Sequence, residues 1–97
     1  MDFLVQMEVM AQVGDELLRK EAERARELAR AGILQRLWRV PGRRANWGLW
    51  AAATTDELHA ALASLPLYPY LDITVHPLAT HPNDPGSLGG PGWVPET

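Results

Sequence analysis

Ile33-Leu34-Gln35-Arg36-Leu37-Trp38-Arg39-Val40 runs into Pro41-Gly42-Arg43-Arg44 and, past Ala45, into Asn46-Trp47-Gly48-Leu49-Trp50-Ala51-Ala52. Two runs rich in branched and aromatic residues, separated by a Pro-Gly turn, read as a β-hairpin. The predicted strands are 33–40 and 46–52. What flanks this hairpin decides the fold, because the period of the hydrophobic pattern changes on both sides of it.

Upstream, Asp15 to Ala31 is built from Leu, Ala, Glu, Arg and Lys, all good helix formers. Gly14-Asp15 marks its entry and Gly32 its stop. At about 100° per residue, Leu17, Leu18, Ala22, Ala25, Leu28 and Ala29 fall on one apolar stripe. Arg19, Glu23, Arg26, Glu27 and Arg30 fall opposite. Downstream, Thr54 to Leu65 is a second helix. Thr54-Thr55-Asp56-Glu57 fits a capping box, with Thr54 as N-cap and Glu57 reaching back. Leu58, Ala61, Leu62 and Leu65 form its apolar face, and Pro66 ends it.

Further out lie two more strands. Phe3, Val5, Met7 and Val9 alternate with Leu4, Gln6, Glu8 and Met10. The second set is mixed, so that face is either half solvated or covered by another subunit. Leu71, Ile73 and Val75 alternate with Asp72 and Thr74. From His76 onward Pro77, Pro82, Pro85, Gly86, Gly89, Gly90, Pro91, Gly92 and Pro95 predict no regular structure. The order is β-α-β-β-α-β, the ferredoxin-like α+β plan. It implies a four-stranded antiparallel sheet with two helices on one face. The bare face, carrying Leu, Met and Trp, marks an interaction site. We expect a single domain over residues 1–80 and an extended Pro/Gly-rich tail over 81–97.

Composition narrows the function. A chain of 97 residues is one domain with a thin core, and oligomerisation is a common remedy. There is no Cys, which excludes thiolate chemistry and disulfides and suits a reducing compartment. Met1 to Met10 lacks the basic start of a secretion signal. No apolar run reaches the roughly 20 residues of a membrane helix. A net charge of −3 gives no expectation of nucleic acid. No phosphate-binding glycine loop or nucleophile elbow is present. That leaves cofactor-free acid–base work, or binding.

Glu21 is the most informative residue. It projects between Leu17 and Leu28, inside the apolar stripe, whereas Glu23 projects to the charged side. A carboxylate held on an apolar face is desolvated, its pKa rises, and it becomes suited to general acid–base work. The alternative is an edge position, where Glu21 reaches water or pairs with Arg24. Arg36 and Arg39, three apart on a strand, point to opposite faces. Either is a surface charge or a fork for an anionic substrate. Asn46 is a polar group in the third strand, with Trp47 pointing the other way. His59 lies at the edge of the second helix's apolar face, and no His pair at helical spacing suggests zinc. Pro66-Leu67-Tyr68-Pro69-Tyr70 is a stiff link whose Tyr hydroxyls either pack or line a pocket.

Leu37-Trp38-Arg39 with Gly42, Ala45-Asn46, Glu57-Leu58-His59, Leu65-Pro66-Leu67-Tyr68-Pro69-Tyr70-Leu71-Asp72-Ile73 and Leu78-Ala79-Thr80-His81-Pro82 together resemble the muconolactone Δ-isomerase family. The resemblance runs from about Met1 to about Pro82. It implies a ferredoxin-like fold and a ring-like homo-oligomer, a decamer, with active sites at subunit contacts. It implies a cytoplasmic enzyme that converts muconolactone to 3-oxoadipate enol-lactone in catechol ortho-cleavage (the β-ketoadipate pathway). Neither metal nor organic cofactor is implied. Glu21 aligns with a glutamate of the family's first helix and is the expected proton shuttle. Arg39 would hold the substrate carboxylate or the enolate oxygen. Arg36, Trp38, Asn46, His59 and Tyr70 are the expected substrate contacts. The chain departs from the family pattern at Leu4, at Gln6 (where Lys is common), at Arg43-Arg44 and in its tail.

Three functions fit these residues: a proton-shifting isomerase acting on muconolactone or on a related small lactone or enone, a dehydrohalogenase that uses the same base on a chlorinated lactone, and a non-catalytic oligomeric module that binds a small molecule.

Overall fold

The computed structural model describes residues 1–86. Its elements are β1 (Asp2–Val9), α1 (Asp15–Arg30), β2 (Leu34–Arg39), β3 (Ala45–Ala51), α2 (Thr55–Ala63), a short 3-10 turn (Tyr68–Tyr70) and β4 (Leu71–Leu78). The strand order is β2-β3-β1-β4, and every neighbouring pair is antiparallel. This is the ferredoxin-like arrangement expected from the element order.

Local chemistry sets the boundaries. Gly32 takes φ +78° just past α1, a conformation that costs glycine little. Its N–H reaches Ala29 O, and Ile33 N–H reaches Leu28 O, both at 3.0 Å, closing the helix as a Schellman motif. At the start of α2, Thr54 Oγ1 accepts from Glu57 N–H at 3.1 Å, and Glu57 Oε2 accepts from Ala53 N–H at 3.0 Å. The box therefore forms, with Glu57 reaching one residue beyond the cap. Gly42, also at φ +78°, turns the hairpin.

The core lies between the helices and one face of the sheet. Phe3, Val5 and Met7 of β1, Trp50 of β3, Leu28 of α1, and Leu58, Ala61, Leu62 and Leu65 in and after α2 are buried together. Directly paired residues share a face, so the register assigns both sides. Trp50, Gly48 and Asn46 face the helices with Phe3, Val5 and Met7. Leu34, Leu37 and Arg39 join them from β2. A bulge between Leu34 and Arg36 makes this possible: two β2 residues oppose one of β3, which reverses the alternation. Arg36 and Trp38 therefore lie on the open face, with Trp47, Leu49, Leu4, Gln6 and Glu8.

Two expectations are corrected. β4 continues to Leu78, past the predicted end at Val75, with Pro77 paired to Phe3. An edge strand tolerates proline where its N–H side faces away from the neighbour. In α1, Leu18, Ala22 and Ala29 are exposed, and the inward line is Leu17, Glu21, Arg24, Ala25 and Leu28. The helix is rotated so that Glu21 lies within the inward line. Most of the predicted tail, residues 87–97, lies outside the described residues.

Candidate active site

Glu21 sits in the first half of α1, half-buried, and its Oε1 accepts the backbone N–H of Leu67 at 3.0 Å. Leu67 is a core residue of the link between α2 and β4. α2 has already ended at Ala63, so the Leu67 N–H is outside the helix and available for this bond. Burial pushes the Glu21 carboxyl above its ordinary value, and the Leu67 N–H, which favours the charged form, offsets only part of that. Arg24, the alternative partner, is engaged elsewhere: its guanidinium donates to Glu27 at 2.8 Å and to Ser64 Oγ at 3.0 Å.

The helix-facing side of β2 and β3 carries Leu37, Arg39, Asn46, Gly48 and Trp50. Arg39 and Asn46 are paired there, at the sheet end from which β1 leads to α1. Arg39 is exposed and Asn46 half-buried. Asn46 Oδ1 and Trp50 Nε1 are buried polar atoms without a hydrogen-bond partner. An orphaned buried polar atom costs about 1–3 kcal/mol, so two on one strand distinguish this region from ordinary core.

A family model for muconolactone delta-isomerase matches residues 1–84. The chain belongs to the muconolactone delta-isomerase family. It is similar to the muconolactone Delta-isomerase of Rhodococcus opacus, with 36% identity over 87% of this chain and 90% of that protein. The enzyme of the same name from Cupriavidus pinatubonensis is 39% identical over 86% of this chain and 90% of its own length. A crystal structure of muconolactone isomerase superposes with a TM-score of 0.79 at 37% identity, covering 87% of this chain and 94% of that one. The chain is thus a member of an isomerase family, with the family's fold.

Within this isomerase fold the residues singled out from sequence are divided by the sheet. Glu21, Arg39 and Asn46 lie on the helix side. Arg36 and Trp38 lie on the other side, where the Arg36 guanidinium stacks 5.0 Å from the Trp38 ring centroid. His59 is exposed on α2, with its ring edge-on to Tyr68 at 6.1 Å. Tyr70 is exposed in the 3-10 turn. Arg36 and Trp38 are therefore across the sheet from Glu21, whereas Tyr70 lies in the turn that holds it: Tyr70 N–H donates to Leu67 O at 2.8 Å, and Leu67 N–H donates to Glu21. The sequence reading passed over the Trp50 indole N–H. Its signal was Gly48, two residues away on the same face, which leaves room for the indole.

The open face carries a half-open groove of about 420 Å³, lined by Gln6, Glu8, Trp47, Asp72, Thr74 and Arg43 among others. It lies across the sheet from Glu21, and the Glu8–Arg43 ion pair stands at its edge. Of its two carboxylates, Glu8 is paired with Arg43 and Asp72 is exposed. Glu21, on the other side of the sheet, is the carboxyl that burial pushes above its ordinary value. Among the described residues no three His, Asp or Glu side chains gather into a metal-binding cluster.

Proposed function

We propose that the chain moves a proton and a double bond within an unsaturated lactone, converting muconolactone to 3-oxoadipate enol-lactone, with Glu21 as the shuttle. The observation that carries this reading is the half-buried Glu21 carboxyl, held by Leu67 N–H and raised in pKa by desolvation. A carboxylate of ordinary pKa is a weak base for a carbon acid, and raising it brings its proton affinity nearer to the working pH.

The step balances on one side chain. Glu21 carboxylate takes the proton from the ring carbon next to the ring oxygen. The electron pair left behind forms the new double bond, and the old one shifts toward the lactone carbonyl, whose oxygen becomes a dienolate. Glu21, now protonated, returns its proton two carbons away, and the carbonyl re-forms. No other reactant is consumed. Arg39, exposed at the rim beside Asn46, is suited to hold the substrate's carboxylate arm.

We also infer that the chain acts as a homo-oligomer, a decameric ring by its family resemblance, in the cytoplasm. Trp38, Trp47, Leu37, Leu18 and Leu78 are exposed on the subunit, and burying them supports association. A second copy would also bring side chains that one subunit leaves distant from Glu21.

The deciding experiment is the ultraviolet assay of muconolactone disappearance with purified protein. Conversion by the wild type, lost in Glu21→Gln, supports the proposal. No conversion at high enzyme concentration overturns the substrate assignment. Gel filtration tests the assembly, and a clean monomer would count against it.

A further inference from the structure

Trp50 is 2% exposed, yet its indole nitrogen has no hydrogen-bond partner. Gly48 explains how the ring reaches this position. A Cβ there would stand 2.6 Å from Trp50 Nε1 and 3.1 Å from Cδ1. Glycine thus lets the polar edge of the indole lie against the strand, leaning along β3 toward Asn46. Asn46 Oδ1, two residues further along the same face, is likewise buried and unpartnered. Rotating its amide would present Nδ2 instead, so the pair supplies either a donor and an acceptor or two donors.

Leu37 sits opposite Gly48 on β2 and comes within 3.3 Å of the same Cβ position. It is itself 51% exposed, and exposed side chains change rotamer on fast timescales. Swinging Leu37 aside would open the indole N–H from the edge of the sheet.

We propose that Trp50 Nε1–H, seated over Gly48 beside the Asn46 amide, is a subsite for the carbonyl oxygen of the bound lactone, with Leu37 as the side chain that yields to it. The inference rests on the lactone-isomerase reading given above. The chemistry favours a carbonyl oxygen over a carboxylate. A neutral indole N–H in apolar surroundings suits a neutral acceptor, while Arg39, paired with Asn46 at the exposed rim, offers the carboxylate arm a charged partner. As the proton leaves, negative charge grows on that oxygen and a donor already in place strengthens its bond. Trp50 would therefore discriminate for substrates that carry the carbonyl.

The test uses the saturated lactone with the same carboxymethyl arm, which keeps the carbonyl but has no double bond to move. The chain has four Trp, and their indole N–H cross-peaks are resolved by ¹⁵N–¹H NMR. Trp50→Phe deletes one of them; contacts to the Leu37 methyls assign it independently should that variant fold poorly. We expect this peak to move downfield on adding the lactone. We also expect Trp50→Phe to lower kcat/KM for muconolactone about tenfold, the size of one lost hydrogen bond. A peak that stays still while the lactone saturates the protein overturns the subsite, as does one already at a bonded position without ligand. The two proposals fail separately. A moving peak without turnover keeps the subsite and removes the isomerase reading. Turnover unchanged in Trp50→Phe, with a still peak, does the reverse.

Discussion

The two helices lie on the same face of one sheet and use it differently. α2 has nine residues and buries Leu58, Ala61 and Leu62. α1 has sixteen and fully buries only Leu28. α1 is instead wrapped in exposed ion pairs, Arg19 with Glu16 at 2.5 Å and with Glu23 at 2.6 Å, and Arg24 with Glu27 at 2.8 Å. Such pairs add little to stability. α1 is secured at its end by Leu28 and the Gly32 stop, while its first half carries Glu21 inward. The short helix anchors the fold, and the long one positions a carboxyl that burial disfavours. With Glu21 as the proposed proton shuttle, stability and chemistry are separated along one layer of the molecule.

The largest expected effect breaks that division at Glu21. Replacing it with Gln should cut kcat about a thousandfold, within the usual range for a general acid–base group, while urea unfolding at pH 7 shows no loss of stability. Gln keeps an oxygen for Leu67 N–H and removes a charge from apolar surroundings. A variant that lost activity only in proportion to lost fold would place Glu21 with the structural residues and erase the contrast.

The anchor side comes next. Leu62→Ala removes a side chain buried to 4% exposure and should cost about 2–5 kcal/mol. Leu18→Ala, on the exposed side of α1, should stay within about 0.5 kcal/mol in a dilute single subunit. If urea midpoints showed the two alike under those conditions, the assignment of α2 as anchor would be wrong.

A pH series sharpens the comparison further. Burial raises the folded-state pKa of Glu21 above its unfolded value of 4.5, so the folded chain holds that proton more tightly. Stability from this group is fully present below the unfolded value and is lost as pH rises through the raised folded value. Wild type minus Glu21→Gln stability should therefore fall with pH from about 4.5 upward. Over the upper part of the same window kcat/KM should rise, because the free enzyme must be ionised to act as a base. A stability difference that does not vary with pH would contradict the burial of this group.

The smallest effect concerns the start of α2. Thr54→Ala removes the hydroxyl that accepts from Glu57 N–H and should cost about 1 kcal/mol with little change in kcat. The corresponding position of α1, Gly14, makes no side-chain cap, so Gly14→Ser tests whether capping α1 tightens it without touching Glu21.

Order and type of the elements, and most of their ends, were legible in the chain; the end of β4 was not. Period-two and period-3.6 patterns, Pro41-Gly42, Gly32, Thr54 and Pro66 are local signals, and local interactions decide them. The inward place of a carboxylate at position 21 was legible too, as an angle on a helical projection. Three matters waited for the tertiary structure. The partner Glu21 meets on its inward side, the amide of Leu67 forty-six residues away, came from the link between α2 and β4. The side of the sheet taken by Arg36 and Trp38, as against Leu37 and Arg39, depended on a bulge between neighbouring strands. The indole nitrogen of Trp50 became an unpartnered donor only because Gly48 and its surroundings left it none. Spacing along a chain fixes what a residue can do within its own element; hydrogen bonds and register between distant elements decide what it meets.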